Sequence, residues 1–149
     1  MTTLLIFSLD DWQCALHIST VERTYRAVAI TPLPDAPDIV IGIVNVRGVV
    51  LPVVNLRKRF RLPEKDLAPS DHLVIAHTAR RPVALVVDGV TGVIECADQD
   101  IAAADAIAPG MEYVEGVLRL QDGMILIHDL DSFLSLEEEV ALDSAMASA

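Results

Sequence analysis

The chain has 149 residues, a length that fits one domain. Its formal net charge is −11, from 22 acidic and 11 basic residues, and this surplus excludes long-range attraction of nucleic acid. Hydrophobic residues make up 52% and aromatic residues only 4%, a composition that favours a β-rich core over an aromatic-lined binding pocket.

Short apolar runs recur along the chain, and turn-forming residues separate them. The runs cover residues 4–9, 39–46, 49–56, 73–76, 83–87, 114–120 and 124–127. Several are apolar at consecutive positions, which predicts strands that are buried on both faces or wrapped tightly around a small core. We therefore expect many short strands in a sandwich or barrel.

The segments between these runs carry other signals. A short turn of helix is predicted within residues 18–26, with Ile18 and Val21 facing inward. Residues 31–37 contain three prolines and are predicted to form a loop. Pro52 lies inside an apolar run and cannot donate a ladder hydrogen bond, which predicts a sheet edge or a bulge at this strand.

The C-terminal segment, residues 136–149, is predicted to be a helix with a fraying end. Ser135 and Glu138 have the spacing of a capping box, in which each side chain accepts a hydrogen bond from a backbone N–H of the first turn. We expect helix over about residues 136–146, packed through Leu136, Val140 and Leu142.

Two segments of the sequence also share one pattern, which we call the echo. Residues 42–56 and 116–130 each read as strand, glycine-bearing hairpin turn and strand, the second turn having one extra residue. Each segment closes on a polar residue followed by Leu, and an aromatic residue follows shortly afterwards, Phe60 in one case and Phe133 in the other. Two similar small barrels would explain the echo.

One stretch is locally basic. Arg57, Lys58, Arg59, Arg61 and Lys65 are five of the eleven basic residues and fall within nine positions. Two interpretations stay open at this point: a solvated loop face, or a docking patch for an acidic protein surface.

No motif for catalysis or for cofactor binding is present. Cys14 and Cys96 lack zinc or disulfide spacing and are expected to be reduced thiols, and the four histidines lack the spacing of a metal site. Residues 88–92 have the composition of a ligand loop, yet a structural bend or bulge is the favoured interpretation. We expect no catalytic residue, metal or cofactor, and we expect that the protein is not an enzyme.

The N-terminus lacks a basic region before its first apolar run, and no apolar run approaches the roughly 18 residues needed to cross a bilayer. The expected protein is therefore cytoplasmic, without direct membrane insertion.

Residues 39–57 read Ile-Val-Ile-Gly-Ile-Val-Asn-Val-Arg-Gly-Val-Val-Leu-Pro-Val-Val-Asn-Leu-Arg. This segment resembles the CheW family of bacterial chemotaxis coupling proteins, whose pattern is a glycine-bearing hairpin, N-L-R-G and then h-P-V-h-D-L-R, where h is apolar. Residues 84–90 are similar to the family's G-h-h-V-D-x-V, and residues 116–134 to its closing hairpin and D-h-x-x-L-L. The resemblance runs from about Leu4 to Leu134.

The resemblance implies an all-β fold with few short helices: two intertwined five-stranded Src-homology-3-like β-barrels that share a core, with a C-terminal helix. The whole chain would be a single domain, its first hairpin at about residues 39–60 and its second at about 73–134. It also implies two partners, the regulatory domain of a CheA-type histidine kinase and the cytoplasmic tip of chemoreceptors, the methyl-accepting chemotaxis proteins. The receptor helix would pack into a groove between the barrels.

The matching motif positions give a candidate protein-binding site of six residues. They are Val21, Gly42, Asn45, Arg47, Gly48 and Val90. Gly42 would permit close approach of a helix, the two valines would supply apolar contact, and Arg47 would offer a guanidinium group. One departure is notable: the family usually has Glu where this chain has Arg23, so a pairing with Arg47 would become a like-charge pair or be lost.

Two rival functions remain at this stage. One is an adaptor of the same fold in another receptor–kinase array, such as a twitching-motility pathway. The other is a small-ligand-binding barrel, which would contain a closed apolar cavity.

Overall fold

A computed structural model describes residues 1–103, 113–121 and 123–148. These residues form eleven strands and two α-helices joined by short 3₁₀ turns. The strands are β1 (Thr2–Leu9), β2 (Trp12–His17), β3 (Val21–Arg26), β4 (Val40–Val46), β5 (Val49–Val54), β6 (His72–His77), β7 (Pro82–Val87), β8 (Gly89–Cys96), β9 (Ile101–Ala103), β10 (Val114–Leu120) and β11 (Gly123–His128). The helices are α1 (Leu56–Arg59) and α2 (Leu136–Ala147).

The strands form two sheets, one of which combines strands from both ends of the chain. One has the order β3-β6-β7-β5-β4, and the other has the order β8-β1-β2-β11-β10-β9. The N-terminal strands β1 and β2 therefore complete a sheet whose other members lie near the C-terminus. Strands β6 and β7 belong to the five-stranded sheet, so the segment at about 73–134 is divided between the two sheets.

The two sheets have the same internal plan. Strands β8, β1, β2, β11 and β10 correspond in order to β3, β6, β7, β5 and β4, and each sheet contains one parallel pair, β5 with β7 and β2 with β11. The glycine after the bulge in β4, Gly42, corresponds to Gly116 after the bulge in β10. This plan accounts for the echo in the sequence. The extra residue predicted in the second turn is wrong, because Gly123 pairs with Leu120 and belongs to the strand.

Alternate residues of the inner strands face different cores, which explains their consecutive apolar positions. In β1, Leu4 and Ile6 join a cluster inside the six-stranded sheet, while Leu5 and Phe7 join a larger cluster shared by both sheets. In β6, Leu73 belongs to a third cluster, inside the five-stranded sheet. The prediction of strands covered on both faces is confirmed.

Edge strands contribute to these inner clusters. Tyr25 of β3 and Val44 of β4, at opposite edges of the five-stranded sheet, pack in one cluster. Ile94 of β8 and Ile101 of β9 do the same in the six-stranded sheet. Each sheet thus closes around its own side chains, as a small barrel does.

Two local predictions are corrected by the structure. Helix in residues 18–26 is limited to a 3₁₀ turn at Ile18–Thr20, after which β3 begins. Strand β5 is not an edge strand, but at Pro52 it has only β4 beside it, because pairing with β7 begins at Val53. The missing N–H of proline is tolerated there.

The C-terminal helix begins as predicted, but its packing face differs. Ser135 and Glu138 form the capping box. Leu142 is buried, whereas Leu136 and Val140 are exposed. The buried face instead includes Glu139, which accepts a hydrogen bond from Nε of Arg81 at 2.9 Å.

Candidate protein-binding surface

The β4–β5 hairpin presents Arg47 at its tip. Both turn residues have positive φ, 54° at Arg47 and 84° at Gly48, as a two-residue type I′ turn requires. Oδ1 of Asn45 accepts a hydrogen bond from the backbone N–H of Gly48 at 2.9 Å and braces the turn. Arg47 is therefore exposed on a turn whose backbone is braced by this hydrogen bond, which suits contact with a partner.

Arg47 also lines a shallow pocket of about 250 Å³ between the hairpin and β3. Glu22 and Arg23 lie on its other side. Glu22 is the extra residue of a bulge in β3, and its carboxylate pairs with Nε2 of His77 at 2.9 Å. Within the described ranges neither Arg23 nor Arg47 has an ion-pair partner. The pairing with a glutamate that the family pattern would supply is thus absent from this pocket.

Val21 and Val90 occupy equivalent positions in the two sheets. Val21 directly precedes the bulge of β3, and Val90 directly precedes the corresponding irregularity between β8 and β1. Both side chains are half-buried and pack against the shared core cluster. Each valine can therefore support the junction of the barrels and still offer a part of its surface to a partner.

Gly42 has a role inside the fold. A Cβ atom at this position would lie inside contact distance of the backbone oxygen of Thr31, which belongs to the proline-containing loop. Thr31 and Ile43 exchange two backbone hydrogen bonds, at 2.7 and 3.0 Å. The space that the sequence suggested for a partner helix is thus occupied by the protein's own loop.

The six predicted residues do not all meet in one described pocket. Asn45, Arg47 and Gly48 share the hairpin tip, and Arg47 faces β3, which begins at Val21. Gly42 and Val90 line neither that pocket nor any other described one. Sequence reasoning also missed the exposed apolar side chains beside the turn, Val49 and Val50. Their position immediately after the turn, with polar Asn45 opposite, was the available signal.

Most of the basic run is used within the protein. Arg57 is buried and donates from Nη2 to Asp10 at 2.7 Å and to both oxygens of Asp88 at 2.7 and 2.9 Å. Lys65 lies 3.5 Å from Asp88 and 3.2 Å from Asp71. Burial opposes ionisation of Asp88, but hydrogen bonds from the Asp10 backbone and from Arg57 outweigh it and hold the pKa of Asp88 below its usual value. These residues fix α1 to two strand ends.

Arg59 has a similar role at the C-terminal helix. Its Nη2 donates to Glu138 at 2.5 Å and its Nη1 to the Tyr113 hydroxyl at 3.1 Å. Lys58 and Arg61 are the exposed members of the run that have no ion-pair partner in the described part of the chain. Neither of the two open interpretations holds for the run as a whole.

Both cysteines are free thiols. Burial raises the pKa of Cys14 to about 12, so this thiol is protonated and unreactive. Cys96 is half-buried, and burial followed by Asp100 and Asp98 raises its pKa as well.

Residues 1–103, 113–121 and 123–148 contain no group of three or more side chains placed to hold a metal ion, and no helix there has both the length and the apolarity of a membrane span.

Known proteins resemble the chain over nearly its full length. Residues 3–138 match the sequence profile of the CheW-like domain. The chemotaxis protein CheW of Rhizobium meliloti (strain 1021) is 31% identical over 140 residues, covering 93% of this chain and 90% of that protein. The chemotaxis protein CheW of Klebsiella aerogenes is 28% identical over 146 residues, with 97% and 88% covered.

A solved structure has the same fold. The scaffolding protein TtCheW from Thermoanaerobacter tengcongensis superposes with a TM-score of 0.83 at 28% identity, covering 92% of this chain and 94% of that one. The predicted fold class of paired Src-homology-3-like barrels with few helices is confirmed.

Proposed function

The chain belongs to the CheW-like domain family, and from this premise we propose that it is a noncatalytic cytoplasmic adaptor that couples chemoreceptors to a CheA-type histidine kinase. It would be a single domain with two protein-binding surfaces, one for the kinase regulatory domain and one for the receptor tip. The observation that carries the proposal is the rigid hairpin tip, where Arg47 is exposed beside apolar Val49 and Val50.

An exposed arginine beside apolar side chains is a typical composition for a protein interface. The tip is fixed by its own turn, so a partner would not need to order it on binding. Substitution at Arg47 therefore tests binding without disturbing the core, since its side chain has no ion-pair partner within the described ranges.

In this proposal Gly42 does not contact a partner, and it acts only by leaving room for the loop that contains Thr31. Because Thr31 fills the space over it, a larger residue would displace the loop rather than meet a partner first. Val21 and Val90 would contribute apolar contact at the junction of the barrels.

The test is a binding titration of purified chain with a kinase regulatory domain and, separately, with a receptor hairpin fragment. We expect Arg47→Glu to weaken binding to at least one partner by tenfold or more. Arg80→Glu is the matched control, because Arg80 is exposed and its side chain forms no hydrogen bond or ion pair within the described ranges. Equal affinities for both variants, each folded by circular dichroism, would remove Arg47 from the interface.

The same titration separates chemotaxis from another receptor–kinase array. A kinase of the chemotaxis type and one from a twitching-motility pathway are offered in parallel, and the tighter partner identifies the array.

A further inference from the structure

A second pocket lies between the six-stranded sheet and the segment that follows β5, away from the tip of the β4–β5 hairpin. Its volume is about 340 Å³, and none of its lining residues belongs to the pocket beside Arg47. The lining residues come from the β1–β2 hairpin, from the end of α1 and the segment after it, and from the adjoining ends of β10 and β11. They are Leu9, Trp12, Cys14, Arg59, Phe60, Arg61, Leu62, Tyr113, Val114, Leu126 and His128.

The walls are aromatic in a chain that has few aromatic residues. Three of its six aromatic residues, Trp12, Phe60 and Tyr113, line this one pocket. Phe60 stacks on the ring of His128 with centroids 4.5 Å apart. Trp12 is 51% exposed, although an unpartnered surface tryptophan is uncommon. The volume suits a molecule of one or two rings.

The pocket has one positive charge without an ion-pair partner among the described residues, that of Arg61, because Arg59 is paired with Glu138. Its lining includes Arg59 and Arg61 and no acidic residue, whereas the whole chain has twice as many acids as bases. The buried Nε of Arg59 has no hydrogen-bond partner among the described residues. Arg61 is exposed, and its φ of 59° is a left-handed conformation that side chains rarely adopt and that is often found at functional sites. The charge of Arg61, in a lining that contains no acidic residue, favours an anion.

His128 favours a ligand that carries a hydrogen-bond donor. Its Nδ1 lies 3.3 Å from the backbone oxygen of Tyr113, which can only accept, so Nδ1 carries the proton. Burial lowers the pKa of His128 to about 4, so the ring is neutral near pH 7 and Nε2 is an acceptor. That buried Nε2 has no partner in the described part of the chain. An unsatisfied buried acceptor is costly, and a hydroxyl or N–H of a ligand would satisfy it after a shift of the Phe60 or His128 ring that exposes Nε2 to the pocket.

We propose that this pocket binds a small aromatic carboxylate that also carries a hydroxyl or N–H donor. The ring would lie against the aromatic wall, the carboxylate would face Arg61, and the donor would reach His128. The site shares no lining residue with the pocket at the hairpin proposed for partner binding, so it would be a ligand site separate from that hairpin.

Trp12 is the only tryptophan of the chain, so its fluorescence reports on the pocket directly. We would titrate the full chain with 4-hydroxyphenylacetate, with phenylacetate, which lacks the donor, and with tyramine, which has the same phenol but a positive charge. A ligand this small is expected to bind with a Kd on the order of 1 mM. We expect 4-hydroxyphenylacetate to bind about fivefold more tightly than either analogue.

Two variants locate the binding. Val114→Phe fills the pocket and should abolish the fluorescence change, and Arg61→Asn, which tolerates the left-handed backbone, should weaken 4-hydroxyphenylacetate about threefold without affecting tyramine. Arg80→Asn is the control. A change in fluorescence that does not saturate, or equal affinity for the acid and the amine in the unsubstituted protein, would overturn the proposal. The second outcome needs no variant to fold.

Discussion

Replacing Arg57 with methionine should destabilise the protein substantially. Methionine has similar length, so the loss is chiefly that of the hydrogen bonds to Asp10, to Asp88 and to the backbone oxygen of Pro63. Breaking a buried ion pair costs roughly 3–5 kcal/mol. Because the side chains of Asp10 and Asp88 are 40% and 22% exposed, we expect the lower end, about 3 kcal/mol.

Urea denaturation at pH 7 measures this loss, and thermal unfolding should show a decrease in Tm of roughly 6–12 °C for a chain of this size. Lys58→Met is the matched control: Lys58 is the next residue and is exposed, so its replacement should change the free energy of unfolding by less than about 0.5 kcal/mol.

The effect has a defined pH dependence. The pKa of Asp88 is held below its usual value, so the stabilisation is present above the unfolded-state pKa, near 3.8, and is lost as the pH falls through the lower folded-state pKa. The difference between the two proteins should therefore shrink below about pH 4. A loss under about 1 kcal/mol at neutral pH, or a difference that does not shrink at all between pH 7 and pH 2, would refute this assignment.

Two further substitutions test the interior. His128→Phe should remove the contribution of this ring to acid sensitivity. Because burial lowers the pKa of His128 to about 4, the free energy of unfolding of the native protein falls by roughly 3 kcal/mol as the pH falls from 6.5 to 4. Urea titrations over that range should show a flatter profile for the variant. Gly42→Ala should destabilise more than Gly116→Ala, because the added Cβ would lie 2.2 Å from the Thr31 backbone oxygen in the first case, and 2.8 Å from Cγ2 of Ile101 and 3.2 Å from the Ala102 backbone oxygen in the second. Comparison of the two denaturation midpoints checks the order.

The strands with strong apolar runs could be predicted from the sequence, and the weaker ones could not. Residues 4–9 and 83–87 are buried strands as expected, because both of their faces meet a core. Strand β3 was missed because its residues, Val-Glu-Arg-Thr-Tyr-Arg, are mostly exposed and lie at a sheet edge. Edge strands bury little, so hydrophobicity carries a weak signal for them.

Polar interactions between distant segments were beyond local reasoning. The basic run was read as a surface feature, whereas Arg57 meets carboxylates 47 and 31 positions away in sequence. Likewise, the sequence placed Leu136 and Val140 on the buried face of the C-terminal helix, but both are exposed. The buried face carries Glu139, which pairs with Arg81. Such partners become visible only when the chain has folded.

One part of the candidate site could likewise be predicted from the sequence, and the other part could not. The hairpin of Asn45, Arg47 and Gly48 follows from a local turn motif, which a short sequence specifies. The role of Gly42 depends on a loop eleven positions earlier, and the equivalence of Val21 with Val90 depends on the pairing of the sheets. The aromatic pocket was not anticipated, because a low overall aromatic content does not reveal how those residues cluster.

The most direct test of the adaptor function is whether this chain recruits a kinase to receptors. Receptor-bearing membranes are sedimented with a CheA-type kinase in the presence or absence of the purified chain, and the kinase in the pellet is measured. The account predicts that the kinase sediments in a saturable manner when the chain is added, and less so with Arg47→Glu. Equal sedimentation with and without the chain would contradict it.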